Sequence, residues 1–137
     1  MTPELEALAY AALLQGLQFG WMSIRANLEL GPGVTTSPRD PDRLTKPLME
    51  MVSTKTGRLF RAMNNHFEAL IMFTIAVLVV VLGDKTTGFS AACAWTYLAA
   101  RILYVPAYYF GWRPWRSLIW MVGFLATMAM IASAILF

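Results

Sequence analysis

Four long apolar runs alternate with polar breaks along this chain. They run from about Pro3 to Ile24, Gly57 to Leu82, Phe89 to Phe110 and Trp115 to Phe137. Each is near the ~20 residues that a helix needs to cross the hydrocarbon of a bilayer. A backbone in that layer must satisfy its own hydrogen bonds, and in an open chain only a helix does so. The breaks are turn formers: Gly83-Asp84-Lys85-Thr86-Thr87-Gly88 after the second run and Gly111-Trp112-Arg113-Pro114 after the third. Pro3 suits the first turn of a helix, with Glu4 and Glu6 favoured at its positive end. Gln15 and Gln18 interrupt the first run, so one of its faces is expected against protein, away from lipid. The pattern predicts an all-α, integral-membrane four-helix bundle. It forms a single membrane domain over residues 1–137, with helices at about 3–24, 57–82, 89–110 and 115–137.

The stretch of about 25–56 is the one long loop, carrying Gly31-Pro32-Gly33, Ser37-Pro38, Asp40-Pro41-Asp42 and Lys46-Pro47. Within it, Leu48-Met49-Glu50-Met51-Val52 could form a short interfacial helix. A loop this long in so small a protein is either flexible or functional. Composition agrees with a membrane protein: 58% of the 137 residues are hydrophobic and only 14% are charged. The net charge of +3 is carried by basic residues next to apolar spans, so it argues for a membrane partner and against nucleic acid. Cys93 is the only cysteine, which excludes an intrachain disulfide, and it reads as a small buried hydrophobe. The acidic start (Glu4, Glu6) does not resemble the basic opening of a cleavable signal.

Orientation follows from Lys and Arg. Arg25, Arg39, Arg43, Lys46, Lys55, Arg58 and Arg61 lie in or beside the long loop, and Arg113 and Arg116 lie in the turn after the third helix. In a four-span topology these two loops share a side, and the other side has only Lys85. Both basic loops are therefore expected in the cytoplasm and both termini outside. Trp21, Trp112, Trp115 and Trp120 fall near the basic face, as interfacial aromatics do.

The polar start of the second helix holds the candidate chemistry. On a wheel of ~100° per residue, Arg58, Arg61, Asn65 and Glu68 fall within about 80° of one another. Glu68 lies roughly 16 Å along the axis beyond Gly57, which puts a carboxylate at or inside the hydrocarbon edge. On the third helix Arg101, Tyr104 and Tyr108 fall within ~60°. Arg101 is about 15 Å from that helix's cytoplasmic end, a depth close to that of Glu68. An Arg101–Glu68 ion pair is the natural expectation, since ionisable groups inside a membrane need partners. Pro106 removes a backbone bond beside Tyr104 and Tyr108 and could kink the helix there.

Arg25, Arg58, Arg61, Arg113 and Arg116 converge on one face above this stripe. Guanidinium forks suit carboxylates and also stabilise a thiolate. The ligand so implied has several carboxylates and peptide-like polar edges. His66, the only histidine, lies ~80° from Arg58 on the wheel and suits a helix interface better than a general base. One His and one Cys make no typical transition-metal site. Met121, Met128 and Met130 read as packing.

The segment Arg58-x-x-Arg61-Ala62-x-x-Asn65-x-x-Glu68 resembles the signature of the MAPEG family, the membrane-associated proteins of eicosanoid and glutathione metabolism. Arg101-Ile102-Leu103-Tyr104-Val105-Pro106-Ala107-Tyr108, with Arg116-Ser117-Leu118-Ile119-Trp120, resembles that family's third and fourth helices, particularly in its bacterial members. The resemblance implies a homotrimer in a bacterial inner membrane, with glutathione as co-substrate held between subunits. It implies that Arg25, Arg61, Asn65, Glu68, Arg101, Tyr104 and Tyr108 bind glutathione. Arg116 would stabilise its thiolate, with Ser117 as a donor beside it. The activity so implied is transfer to, or reduction of, a hydrophobic small-molecule acceptor arriving from the bilayer. Met63 and Asn64 stand where several eicosanoid-pathway members carry polar or basic residues, which argues against a prostaglandin- or leukotriene-specific role. A non-catalytic lipid-binding or scaffold protein of the same fold is the alternative. A small transporter is disfavoured because the polar groups cluster toward one face.

Overall fold

Small side chains decide how this chain packs. On the first helix, α1 (Pro3–Leu30), the buried positions are Glu4, Ala7, Ala11, Gln15, Gln18, Met22 and Ala26, spaced by three or four residues along one face. Leu13, Leu17, Ile24 and Leu28 point outward. The last long helix, α6 (Trp115–Leu136), buries Gly123, Ala126, Thr127 and Met130 and leaves Leu118, Val122, Phe124 and Leu125 exposed. Small residues inside and large aliphatics outside are the arrangement of helices that pack in lipid, where close backbone approach does the work that apolar burial does in water.

The computed structural model describes all residues but Pro41, Arg43 and Thr45. The expected turn through Pro41 and the place of Arg43 lie outside the described residues. Among the described residues every regular element is a helix, in the order α1, α2 (Pro32–Thr35), α3 (Leu48–Met51), α4 (Thr54–Leu82), α5 (Gly88–Tyr109) and α6. The helices start where the sequence provides caps. Thr2 accepts from the Leu5 amide, Ser53 from the Thr56 amide, and Thr87 and Ser90 form a reciprocal capping box.

α1 continues to Leu30, beyond the Ile24 end expected of the apolar span. Arg25 to Leu30 contains no helix breaker, and the helix stops only at Gly31, whose φ of 85° carries the chain into Pro32. α4 likewise begins at Thr54, where Ser53 supplies the cap, ahead of Gly57. The stretch of about 25–56 is therefore not one loop: it holds the end of α1, two short helices and the start of α4. α5 runs unbroken through Pro106 to Tyr109.

α5 packs most extensively against α6, and α1 packs against α4 and α5. The main core lies between these helices. Tyr97 stacks on Phe73 at 3.8 Å between ring centroids, among Ala7, Ala11, Ala76, Val77, Ala94 and Met130. A smaller cluster of Met22, Leu59 and Met63 sits toward the other end. Side-chain bonds fix the polarity of the assembly. Ser90 donates to the Glu4 carboxylate, which joins the starts of α1 and α5. Arg58 Nη1 donates to the Tyr109 carbonyl at 3.1 Å, which joins the start of α4 to the end of α5. α4 and α6 are long and apolar enough to cross a membrane, and most of the residues in their apolar stretches are not buried.

Candidate functional site

Three adjoining hollows open along α4, α5 and α6 at the basic end of the molecule. Helix periodicity builds them: Arg58, Arg61, Asn65 and Glu68 recur at three or four residues on α4, as do Tyr97, Arg101, Tyr104 and Tyr108 on α5. The outer hollow, about 290 Å³, is lined by Arg58, Arg61, Tyr108, Trp112, Arg113 and Arg116. The middle one, about 310 Å³, is lined by Arg61, Asn65, Tyr104, Tyr108, Arg116 and Ser117. The inner one, about 210 Å³, is reached past Asn65 and Trp120, which line both, and adds Glu68, Tyr97, Arg101 and Thr127.

Tyr108 organises the middle hollow. Arg61 Nε donates to its hydroxyl at 3.1 Å, and the Arg116 guanidinium lies 4.8 Å from its ring centroid. Tyr104 packs edge-on to Tyr108 with centroids 5.6 Å apart. Two cations on different helices are thus held over one phenol ring, an arrangement that the ring's negative face favours. The buried Asn65 Oδ1 has no hydrogen-bond partner among the described residues. An unpaired buried acceptor is costly and is suited by a ligand N–H.

The expected Glu68–Arg101 ion pair is not formed. Glu68 is exposed at the rim of the inner hollow. Arg101 is buried, with its guanidinium 4.2 Å from the centroid of Tyr104 and with Nε and Nη2 unpartnered among the described residues. The reason is local. Tyr104 lies one turn from Arg101 on the same helix and offers its ring at no cost in reach, whereas Glu68 is turned to the outside of the chain.

Arg25 also stands apart from the other expected site residues. It is half-buried on α1 and lines none of the three hollows. α1 packs on α4 and α5, and its nearest charged neighbour along the helix is Glu29, one turn on. Glu29 accepts from the Ser53 amide at 3.3 Å. Its carboxyl is held below the usual range chiefly by the Ser53 side chain, against the opposing effect of burial, with Thr56, the Ser53 amide and Arg25 adding smaller contributions.

Trp120 and Tyr97 are among the lining residues that go beyond the expected site. Trp120 connects the middle and inner hollows, and its position one turn after Arg116 and Ser117 placed it on their face. Tyr97, one turn before Arg101, lines the inner hollow with its hydroxyl unpartnered among the described residues. Both signals lay in the spacing. His66 lines none of the hollows; it is fully buried beside Tyr97, with Nδ1 2.9 Å from Gln18 Oε1 on α1, an interface position. Gln15 likewise turns inward and donates to the Met63 carbonyl at 3.3 Å.

No curated protein matches this sequence. The family model described as MAPEG family matches residues 7–136. That match takes in α1 from Ala7 onward, the whole of α4, α5 and α6, and every residue of the three hollows, and the chain therefore belongs to the MAPEG family, whose members are membrane-associated.

Proposed function

We propose that this protein is a membrane-bound, glutathione-dependent transferase or peroxidase acting on hydrophobic electrophiles. The observation that carries the proposal is the convergence of Arg61 and Arg116 on Tyr108, above a hollow shared with Asn65, Tyr104 and Ser117. The residues fit the co-substrate. The Arg61 guanidinium fork matches a carboxylate, and the unpaired Asn65 oxygen matches a peptide N–H. Glutathione supplies the sulfur nucleophile. Its thiolate attacks an electrophilic carbon, and the C–S bond forms as a leaving anion departs or, at an activated alkene, as the resulting carbanion takes up a proton. With a hydroperoxide the sulfur attacks oxygen, the O–O bond breaks to release the alcohol, and a second glutathione turns the sulfenic acid into disulfide and water. Arg116 supplies the fixed positive charge that stabilises the thiolate, since a thiol of pKa ~8.5 ionises more readily beside a cation. Ser117, the next residue on α6, can donate to the same sulfur. The exposed apolar faces of α5 and α6 give a lipid-soluble acceptor access from the side.

In the same reading α1, α4, α5 and α6 all cross the bilayer, with the basic end in the cytoplasm and both termini outside. The open rim of the middle hollow and the distance of Arg25 from it support a homotrimer. In that assembly α1 of a neighbouring copy brings Arg25 to the glutathione carboxylates, and the exposed Glu68 faces protein. Calorimetry with glutathione in detergent tests the first step, and the ultraviolet absorbance of the bound thiolate tests the second. Arg116→Ala is expected to keep helix content and oligomer size and to lose the thiolate signal. An unchanged signal in that variant removes Arg116 from the role, and absence of both binding and conjugation in the unaltered protein removes the proposal.

A further inference from the structure

The outer hollow contains more positive charge than the glutathione reading uses. Arg58 and Arg113 line it together with Arg61 and Arg116, and no acidic residue does. Arg58 is built into place. Its Nη1 donates to the Tyr109 carbonyl, and its guanidinium lies against Gly111, where a Cβ would come within 3.1 Å of it. Tyr109 ends α5, so the guanidinium sits at the negative pole of that helix. Lys55, one turn before Arg58, lies 5.6 Å and 5.8 Å from the ring centroids of Tyr109 and Phe110. Like charges gathered this closely repel one another unless an anion joins them.

The surroundings say which kind of molecule carries that anion. Phe110, Trp112 and Trp115 are exposed around the basin. Beyond them on α5 and α6, toward the apolar span, Ile102, Leu103 and Leu118 are exposed as well. Cations, then aromatics, then aliphatics is the order met on passing from a phospholipid headgroup into its acyl chains. We propose that the outer hollow binds the phosphate of an anionic phospholipid. Arg58 and Arg113 contact the phosphate oxygens, and the acyl chains lie along the exposed faces of α5 and α6. The site is separate from the proposed glutathione site, though it shares a wall with it through Arg61 and Arg116.

The experiment uses the full chain in mixed micelles of a nonionic detergent. Phosphatidylglycerol and phosphatidylcholine, each with brominated acyl chains, are compared as quenchers of tryptophan fluorescence. Phosphatidylglycerol is expected to quench at lower mole fraction than phosphatidylcholine. Arg58→Gln and Arg113→Gln should each weaken this preference roughly fivefold, in line with the usual contribution of one basic residue at an anionic surface. Both variants should keep their helix content and elution volume. Arg39→Gln, outside the hollow, should leave the preference unchanged and controls for net charge. Equal quenching by the two lipids, or an unchanged preference in Arg58→Gln and Arg113→Gln, overturns the proposal. Displacement of the lipid by glycerol phosphate at matched concentration would make a soluble phosphate the ligand and overturn the lipid as its source. Loss of the preference in saturating glutathione would assign the outer hollow to glutathione. Persistence of quenching in glutathione is the expected result.

Discussion

A guanidinium held against a phenol ring occurs at both Arg101 and Arg116, and burial separates the two cases. Arg101 is buried on Tyr104, and Arg116 is exposed over Tyr108. The exposed one can turn toward a ligand, which is why the thiolate role is proposed for it. Tyr108→Phe should keep the ring under Arg116 but free Arg61 from its hydrogen bond. Glutathione affinity is expected to fall about tenfold, as for one charge-assisted hydrogen bond, and calorimetry reads it. At the edge of the molecule, Glu29 makes a different residue-scale prediction. Its carboxyl is depressed in the fold from an ordinary value of 4.5. It therefore stabilises the fold above that value, and the contribution is lost as pH falls through the lower folded value. Thermal stability in detergent should show a shallow loss below about pH 4.5 that Glu29→Gln removes. The effect is small because the group is exposed.

At the scale of elements, the turn between α5 and α6 is sensitive to a single added atom. Gly111 has φ of 68°, and a Cβ there would meet Arg58 at 3.1 Å. Gly111→Ala should cost about 1–2 kcal/mol for the backbone alone. It should also displace Arg58 and so reduce the preference for phosphatidylglycerol while leaving glutathione binding in place. The packing of α4 on α5 depends instead on Phe73 stacked against Tyr97, both buried. Phe73→Ala leaves a void there, with an expected loss of about 3–5 kcal/mol, read as a fall in the thermal midpoint.

For the whole molecule, the distribution of apolar surface is the governing fact. Tyr10, Leu13, Leu17, Ile71, Ile75, Phe124 and Leu125 are exposed on the long helices, far more apolar surface than water tolerates on a monomer. Lipid can cover such a surface, but it does not bring Arg25 to the hollows. In the proposed reading a neighbouring copy brings it there, and crosslinking of the purified protein in mild detergent is then expected to give a trimer. A species that stays monomeric while binding glutathione would remove the reading in which Arg25 comes from a neighbouring copy.

The sequence by itself determined the helical class, the family and the main polar face. A run of about 20 apolar residues leaves the backbone no alternative to a helix in lipid, and three- and four-residue spacing fixes which side chains share a face. Arg61, Asn65, Tyr104, Tyr108, Arg116 and Ser117 met in one hollow because each lies on a face that spacing alone defines. Tertiary structure decided the partners. Arg101 lies over Tyr104 instead of reaching Glu68, Arg25 lies on α1 outside the three hollows, and His66 turns inward to Gln18. Depth along an axis says how far two groups are from an end. The rotation of one helix against another says whether they touch, and that rotation is set by the small residues at the contact, such as Ala7, Ala11, Gly123 and Ala126.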